Sequence, residues 1–170
     1  RQARLSNLTN AITLATNASQ LDIITNQLGD VVSVVTEPER RDTFPAIALV
    51  VSYLKSEKQC SDDEVVVIMP CDPYTELGYF ETIKKMVECV KNDVADLILM
   101  GIQPTCPSEK YGYVVPKKET SNSCHPCSFK KVSRFTEKPT TQIAEGLLEE
   151  GALWNGGVVA FGWRYMRNSV

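Results

Sequence analysis

Asp72 stands in Met69-Pro70-Cys71-Asp72-Pro73-Tyr74, directly after the apolar run at residues 65–69. A carboxylate just past a buried strand lies on the rim where open α/β sheets bind ligands, and there it can hold Mg²⁺ beside phosphates. An Asx-turn ahead of Pro73 accounts for the same residues without a ligand. Phe135-Thr136-Glu137-Lys138-Pro139 offers a second carboxylate, next to an ammonium. Neighbours on a strand point to opposite faces, so Glu137 and Lys138 share a site only if the strand ends there, which Pro139 favours. Glu137 can then accept hydrogen bonds from sugar hydroxyls while Lys138 meets a phosphate. Otherwise they are an exposed charge pair of little energetic weight.

Three more stretches carry useful groups. In Leu153-Trp154-Asn155-Gly156-Gly157, ahead of an expected strand, the Asn155 amide offers a donor and an acceptor to a sugar hydroxyl, and the glycines leave room for a pyranose. A loop around a buried Trp reads equally well. In Lys110-Tyr111-Gly112-Tyr113, Gly112 lets the backbone approach a ligand and the tyrosines offer stacking surface; a plain turn into a strand is the alternative. Residues 36–47, Thr-Glu-Pro-Glu-Arg-Arg-Asp-Thr-Phe-Pro-Ala-Ile, run from a strand to a helix N-terminus, whose free N–H groups favour anions and acceptors. Asp42 and Thr43 can simply cap that helix. Cys124-His125-Pro126-Cys127 lacks a second Cys/His pair for zinc and sits in a polar loop, so neither a metal nor a redox role is expected of it.

These groups need elements to position them. Short β-rich runs alternate with helical ones, which predicts an α/β layer architecture. Strands are expected at residues 11–15, 31–35, 65–69 and 95–102, the second as a β-branched run covered on both faces. Helices are expected from Asn17 to Gly29, from Pro45 to Lys58, over 80–90, and from Thr140 as cap to Gly151 as stop. Residues 111–115 and 131–137 read as extended segments around a polar loop or insertion at about 117–130. A last strand is expected at 158–161, followed by a helix over 163–168.

Composition bounds the class. Hydrophobic residues make up 43% and charged residues 23%, the profile of a globular protein able to bury a core. A formal charge of −3 gives no field that would draw nucleic acid. No apolar run reaches the roughly 20 residues that span a bilayer, and Arg1-Gln2-Ala3-Arg4-Leu5 leads into no signal core, so a cytoplasmic protein without membrane partners is expected. In that compartment the six cysteines stay reduced, Cys89 as a small core residue on a helix.

Taken in order, the motifs resemble those of the mannose-1-phosphate guanylyltransferases, in the nucleotide-sugar pyrophosphorylase superfamily, from about Leu8 to Trp163. The resemblance implies a Rossmann-like (GT-A type) α/β fold, with a mixed, mostly parallel sheet and helices on both faces. It implies transfer of GMP from GTP to mannose 1-phosphate, giving GDP-mannose and pyrophosphate. It places Glu37, Arg41, Asp42, Thr43 and Pro70 on the nucleotide side, with Asp72 as the Mg²⁺ ligand. Tyr111, Gly112, Glu137 and Asn155 fall on the sugar, and Lys138 on its phosphate. Lys117, Lys118, Lys130, Lys131 and Arg134 add positive charge nearby, most of it solvated surface. Homo-oligomerisation is left open. A relative using UTP or dTTP with a glucose-type sugar is the nearest alternative. A non-catalytic sugar-nucleotide module is the other, and the retained Asp72, Glu137, Lys138 and Asn155 argue against it.

Two parts of the family pattern are not among these 170 residues: the Gly-rich opening with its Pro-Lys-Gln element, which grips the triphosphate, and a second metal-binding aspartate. Asp42 stands where relatives often carry Asn, and Cys71 replaces a small or aliphatic residue. The resemblance therefore implies that residues 1–170 are a partial domain of a longer enzyme, inactive by themselves. The family's first strand is central to its sheet, so open strand edges and uncovered apolar faces are expected.

Overall fold

Strands and helices alternate through the computed structural model, which describes residues 2–39, 41–118 and 129–168. A short helix α1 (Gln2–Leu5), absent from the expected elements, precedes strand β1 (Thr13–Asn17). Asn17 Oδ1 accepts the Gln20 N–H at 3.2 Å and starts a 3₁₀ turn that runs into α2 (Leu21–Leu28), with Gly29 closing that helix at φ 54°. Gly29–Val31 then forms one more 3₁₀ turn. Strand β2 (Ser33–Glu37) therefore begins later than the apolar run suggests. Val31 is left 57% exposed and only Val35 of β2 is buried, so this strand is not covered on both faces as expected.

Helix α3 (Thr43–Ser56) starts ahead of Pro45, which keeps its place in the first turn. Asp42 occupies the cap position with φ 63° and makes no capping bond, and Thr43 is already helical; the expected capping by these two does not occur. Strand β3 (Val65–Ile68), helix α4 (Leu77–Lys91) and strand β4 (Leu97–Ile102) follow. Strands β5 (Tyr113–Pro116) and β6 (Val132–Thr136) pair antiparallel, with Tyr113 opposite Thr136. The Cys124–Cys127 motif and most of the expected insertion lie outside the described residues. Helix α5 (Thr141–Glu149), strand β7 (Leu153–Gly162) and helix α6 (Trp163–Arg167) complete the order. Because β7 already begins at Leu153, the Trp-Asn-Gly-Gly stretch lies inside a strand and not in a loop ahead of one.

β1 and β2 form a parallel pair, Thr13 opposite Ser33. The other strands form a five-stranded sheet with β7 at its centre. Val159 of β7 faces Ile68 of β3 on one side and Leu99 of β4 on the other, both antiparallel, so β3 and β4 run parallel to each other across β7. Strand pairing is thus mixed across the molecule: β1–β2 is parallel, and every direct pairing within the five-stranded sheet is antiparallel. Among the described residues β1 bonds only β2 and β3 bonds only β7, leaving each with one open edge.

Strand periodicity builds the layers. Val158 and Ala160 of β7 pack with Phe80, Ile83, Met86 and Val90 of α4. The intervening Val159 and Phe161 pack with Val51 of α3 and Trp163 and Met166 of α6. Helices therefore cover both faces, as expected. A third cluster seats Ala144 and Leu147 of α5 on Tyr113 and Val115 of β5. Full burial of a side chain such as Ile83, at 0% exposure, stabilises by about 1.5–3 kcal/mol. The clusters fix β5, β7 and the segments at their ends.

Candidate active site

β6 ends at Thr136, so Glu137 and Lys138 lie beyond the strand and escape its alternation. Lys138 has φ 42°, a left-handed conformation that non-glycine residues rarely hold and that recurs at functional sites. Gly112 immediately precedes β5. A methyl group there would overlap Glu137 Oε2 and lie 3.7 Å from Asn155 Cβ. Asn155 in turn donates its backbone N–H to Gly112 O at 2.8 Å. Glu137, Gly112 and Asn155, from three different segments, therefore meet around one missing side chain. Tyr111 is half-exposed and stacks on Trp154, with ring centroids 4.7 Å apart at 48°. The Trp154 Nε1–H is buried without a partner among the described residues.

Of the glycines in the Trp-Asn-Gly-Gly stretch of β7, Gly156 serves strand packing. A side chain on Gly156 would begin 2.9 Å from Met100 O, so this glycine lets β4 and β7 approach, next to the register shift between Leu99 and Gly101. Pro70 Cδ lies 4.0 Å from where a side chain on Gly157 would begin. Pro70 thus stands beside β7 and is not among the residues that line the cavity at Glu37 described below. Asp72 follows two residues on, beyond the end of β3. It is exposed, with no hydrogen bond or ion pair among the described residues.

Those residues contain no cluster of three or more His, Cys, Asp or Glu side chains that could cage a metal. Mg²⁺ does not require one: it commonly binds through one or two carboxylates together with substrate phosphates and water. Asp72, a hard oxygen donor with its carboxylate open to solvent, fits that mode.

A separate cavity of about 470 Å³ is lined by Glu37, Pro38, Glu39, Arg41, Pro45, Ala46 and Leu49, within the size range of small-molecule sites. Arg41 chelates Glu39 through Nε and Nη2 at 3.0 and 2.7 Å. Glu37 is half-buried, and its carboxylate has no hydrogen-bond or ion-pair partner among the described residues. Asp42 and Thr43 are exposed beside this cavity and are not part of its wall.

Glu109 was not anticipated. Its Oε1 accepts both the backbone N–H and the hydroxyl of Thr141, at 2.7 and 2.8 Å, at the start of α5. Thr140, the expected cap, makes no capping bond. The two Thr141 donors hold the Glu109 carboxyl below its ordinary pKa. No local pattern reveals this cap, because the partners are 32 residues apart. Two other groups shift upward: the Cys60 thiol through burial and then the neighbouring Glu64 charge, and the Tyr79 phenol through burial.

A sheet with helices on both faces and polar groups gathered at strand ends is an architecture of nucleotide-handling enzymes. Residues 2–169 match the nucleotidyl transferase family, and the chain belongs to that family. It is 30% identical over 132 residues to a mannose-1-phosphate guanylyltransferase of Escherichia coli, covering 76% of this chain and 28% of that protein. A mannose-1-phosphate guanylyltransferase of Sinorhizobium fredii is 31% identical, covering 76% and 24%. The chain thus spans about a quarter of the length of these curated relatives. Among solved structures, the mannose-1-phosphate geranyltransferase of Thermus thermophilus superposes with a TM-score of 0.76 at 26% identity, covering 92% of this chain and 43% of that one. The mannose-6-phosphate isomerase of Helicobacter pylori shares the fold, with a TM-score of 0.72 at 22% identity, covering 97% and 61%. Among the described residues no helix is long and apolar enough to cross a membrane.

Proposed function

We propose that the protein carrying this chain is a sugar-1-phosphate nucleotidyltransferase that moves GMP from GTP to mannose 1-phosphate. The observation that carries the reading is the meeting of Glu137 and Asn155 around Gly112. A carboxylate and a carboxamide from residues that meet at a bare backbone offer acceptors and donors to adjacent hydroxyls of one sugar ring, although Asn155 Oδ1 also accepts the Gly157 N–H at 3.2 Å. Lys138, next to Glu137 and exposed, meets the phosphate of that sugar as a point charge. The Tyr111 ring, backed by Trp154, covers an apolar face of the ring.

The base is assigned to the cavity beside Glu37. A half-buried carboxylate with no partner among the described residues calls for donors, and the Watson–Crick edge of guanine supplies two, N1–H and the 2-amino group. Uracil and thymine offer one. In the reaction a phosphate oxygen of mannose 1-phosphate attacks the α-phosphorus of GTP. The bond to the bridging oxygen breaks, and pyrophosphate leaves with the electron pair. Chemistry of this type depends on positioning and charge neutralisation more than on a covalent intermediate. Mg²⁺ bound at Asp72 would lower the repulsion between attacking and leaving phosphates. The free thiols of Cys71 and Cys106, both exposed, suit a reducing compartment such as the cytoplasm.

The test is a nucleotide panel. The native gene product is incubated with mannose 1-phosphate, Mg²⁺ and each of GTP, UTP, dTTP and ATP, and nucleotide-sugar and pyrophosphate are quantified. GDP-mannose with stoichiometric pyrophosphate is expected from GTP alone. Equal turnover with UTP would remove the guanine assignment, and no turnover with any nucleotide would remove the enzyme.

A further inference from the structure

The segment at residues 103–112, between β4 and β5, carries Tyr111 and Gly112, and three bonds fix its second half. The hydroxyl of Tyr113, which is 0% exposed, donates to Ser108 O at 3.0 Å and accepts the Ser108 N–H at 2.8 Å. Gly112 O accepts the Asn155 N–H at 2.8 Å. Between these anchors, Glu109 reaches to Thr141. Thr141 follows Lys138 by three residues and begins α5, whose Ala144 and Leu147 are buried against β5. Among the described residues no other hydrogen bond joins segment 103–112 to residues 137–141. Glu137 and Lys138 have no hydrogen bond of their own there, and Lys138 sits in a left-handed conformation that its surroundings must enforce.

We propose that Glu109 is a positioning residue for the sugar-phosphate side of the site: its carboxylate ties the Tyr111–Gly112 segment to the turn bearing Glu137 and Lys138. This rests on the reading of Glu137, Lys138 and Gly112 as the sugar-phosphate pocket. The tie acts on geometry. Glu137 Oε2 lies against the Gly112 backbone, and Asn155 is fixed to Gly112 by its N–H. A shift of the Tyr111–Gly112 backbone relative to α5 therefore moves Gly112 away from Glu137 and Lys138. The cavity around Glu37 and Arg41 lies on β2 and α3, outside this linkage, and is not affected. The bonds to Thr141 involve a charged acceptor and a backbone N–H at a helix N-terminus, which makes them stronger than neutral ones.

The experiment compares steady-state kinetics of the native gene product with Glu109→Ala, Glu109→Gln and Thr141→Ala. Amide hydrogen exchange at Thr141 and over residues 108–112 is measured on the same proteins. For Glu109→Ala we expect faster exchange at Thr141 and over 108–112. KM for mannose 1-phosphate should rise about tenfold, the scale of one lost charge-assisted hydrogen bond, with KM for GTP unchanged. Glu109→Gln, whose amide oxygen still accepts, should recover most of the loss, and Thr141→Ala should show a smaller shift in the same direction. An unchanged sugar-phosphate KM in an active Glu109→Ala protein would overturn the positioning role, as would equal rises in both KM values. No turnover by the parent protein would instead overturn the reading on which the role rests, and the role with it.

Discussion

Glu137 Oε2 occupies the space in which a side chain on Gly112 would begin. The overlapping atom is the far end of an exposed, rotatable side chain, so an added methyl group need not disturb the core. It would turn the Glu137 carboxylate away from Gly112 and Asn155. Gly112→Ala is therefore expected to leave Tm nearly unchanged. Its kcat/KM for mannose 1-phosphate should fall by about two orders of magnitude, the cost of a misplaced positioning group. Thermal denaturation alongside kinetics separates these effects; a large fall in Tm with intact kinetics would contradict the pocket assignment.

Asp72 has no protein partner among the described residues, so its exchange for the isosteric amide leaves no buried charge unmatched. Asp72→Asn is expected to keep the fold and to lower kcat by roughly a hundred- to a thousandfold, as loss of a group that neutralises transition-state charge does. Added Mg²⁺ should restore part of the activity if the substituted site binds the ion more weakly. Unchanged turnover at every Mg²⁺ concentration would end the assignment of Asp72 to the chemistry.

The lowered pKa of Glu109 makes its contribution to stability depend on pH. Its folded value lies below the unfolded one, about 4.3, so the stabilisation is fully present above that unfolded value and is lost as pH falls through the folded value. The difference in Tm between the native protein and Glu109→Ala should be constant from pH 7 to about 5 and shrink toward zero below about pH 4. Thermal scans at several pH values check this. A difference that persists at pH 3 would assign the effect to packing and not to the ionised carboxylate.

Much of the fold was legible because its signals are local. Gly29 ended α2, and the helix expected over residues 80–90 forms most of α4. The apolar run at 65–69 marked β3. Part of the candidate site was readable for the same reason: Glu137, Gly112 and Asn155 were each picked out by residue type beside an expected strand, and the structure brings the three together. What failed depends on pairing between distant segments. Val31 looks like strand by composition, yet the 3₁₀ turn after Gly29 leaves it outside β2. The Trp-Asn-Gly-Gly stretch looks like a loop, yet backbone pairing with β4 and β5 draws it into β7, and Gly156 serves the approach of β4. Asp42 and Thr140 look like helix caps, but neither makes the bond; at α5 a carboxylate from another segment makes it instead.

That distant cap and the Tyr113 hydroxyl hold neighbouring residues, Glu109 and Ser108, and this makes a double-mutant cycle informative. Tyr113→Phe removes a buried hydroxyl that both donates to and accepts from the Ser108 backbone. At about 0.5–1.5 kcal/mol per net hydrogen bond, the loss should be roughly 1–3 kcal/mol. In a domain of this size that lowers Tm by several degrees, at about 2–4 °C per kcal/mol. If Tyr113 and Glu109 restrain one segment, freeing either lets part of it loosen, and removing the second then costs less than it does alone. The Tm losses of Tyr113→Phe and Glu109→Ala should therefore sum to more than the loss in the double variant. Strict additivity would mean that the two anchors hold independent pieces of chain, so that loosening Ser108 leaves the contact between Gly112 and Glu137 undisturbed.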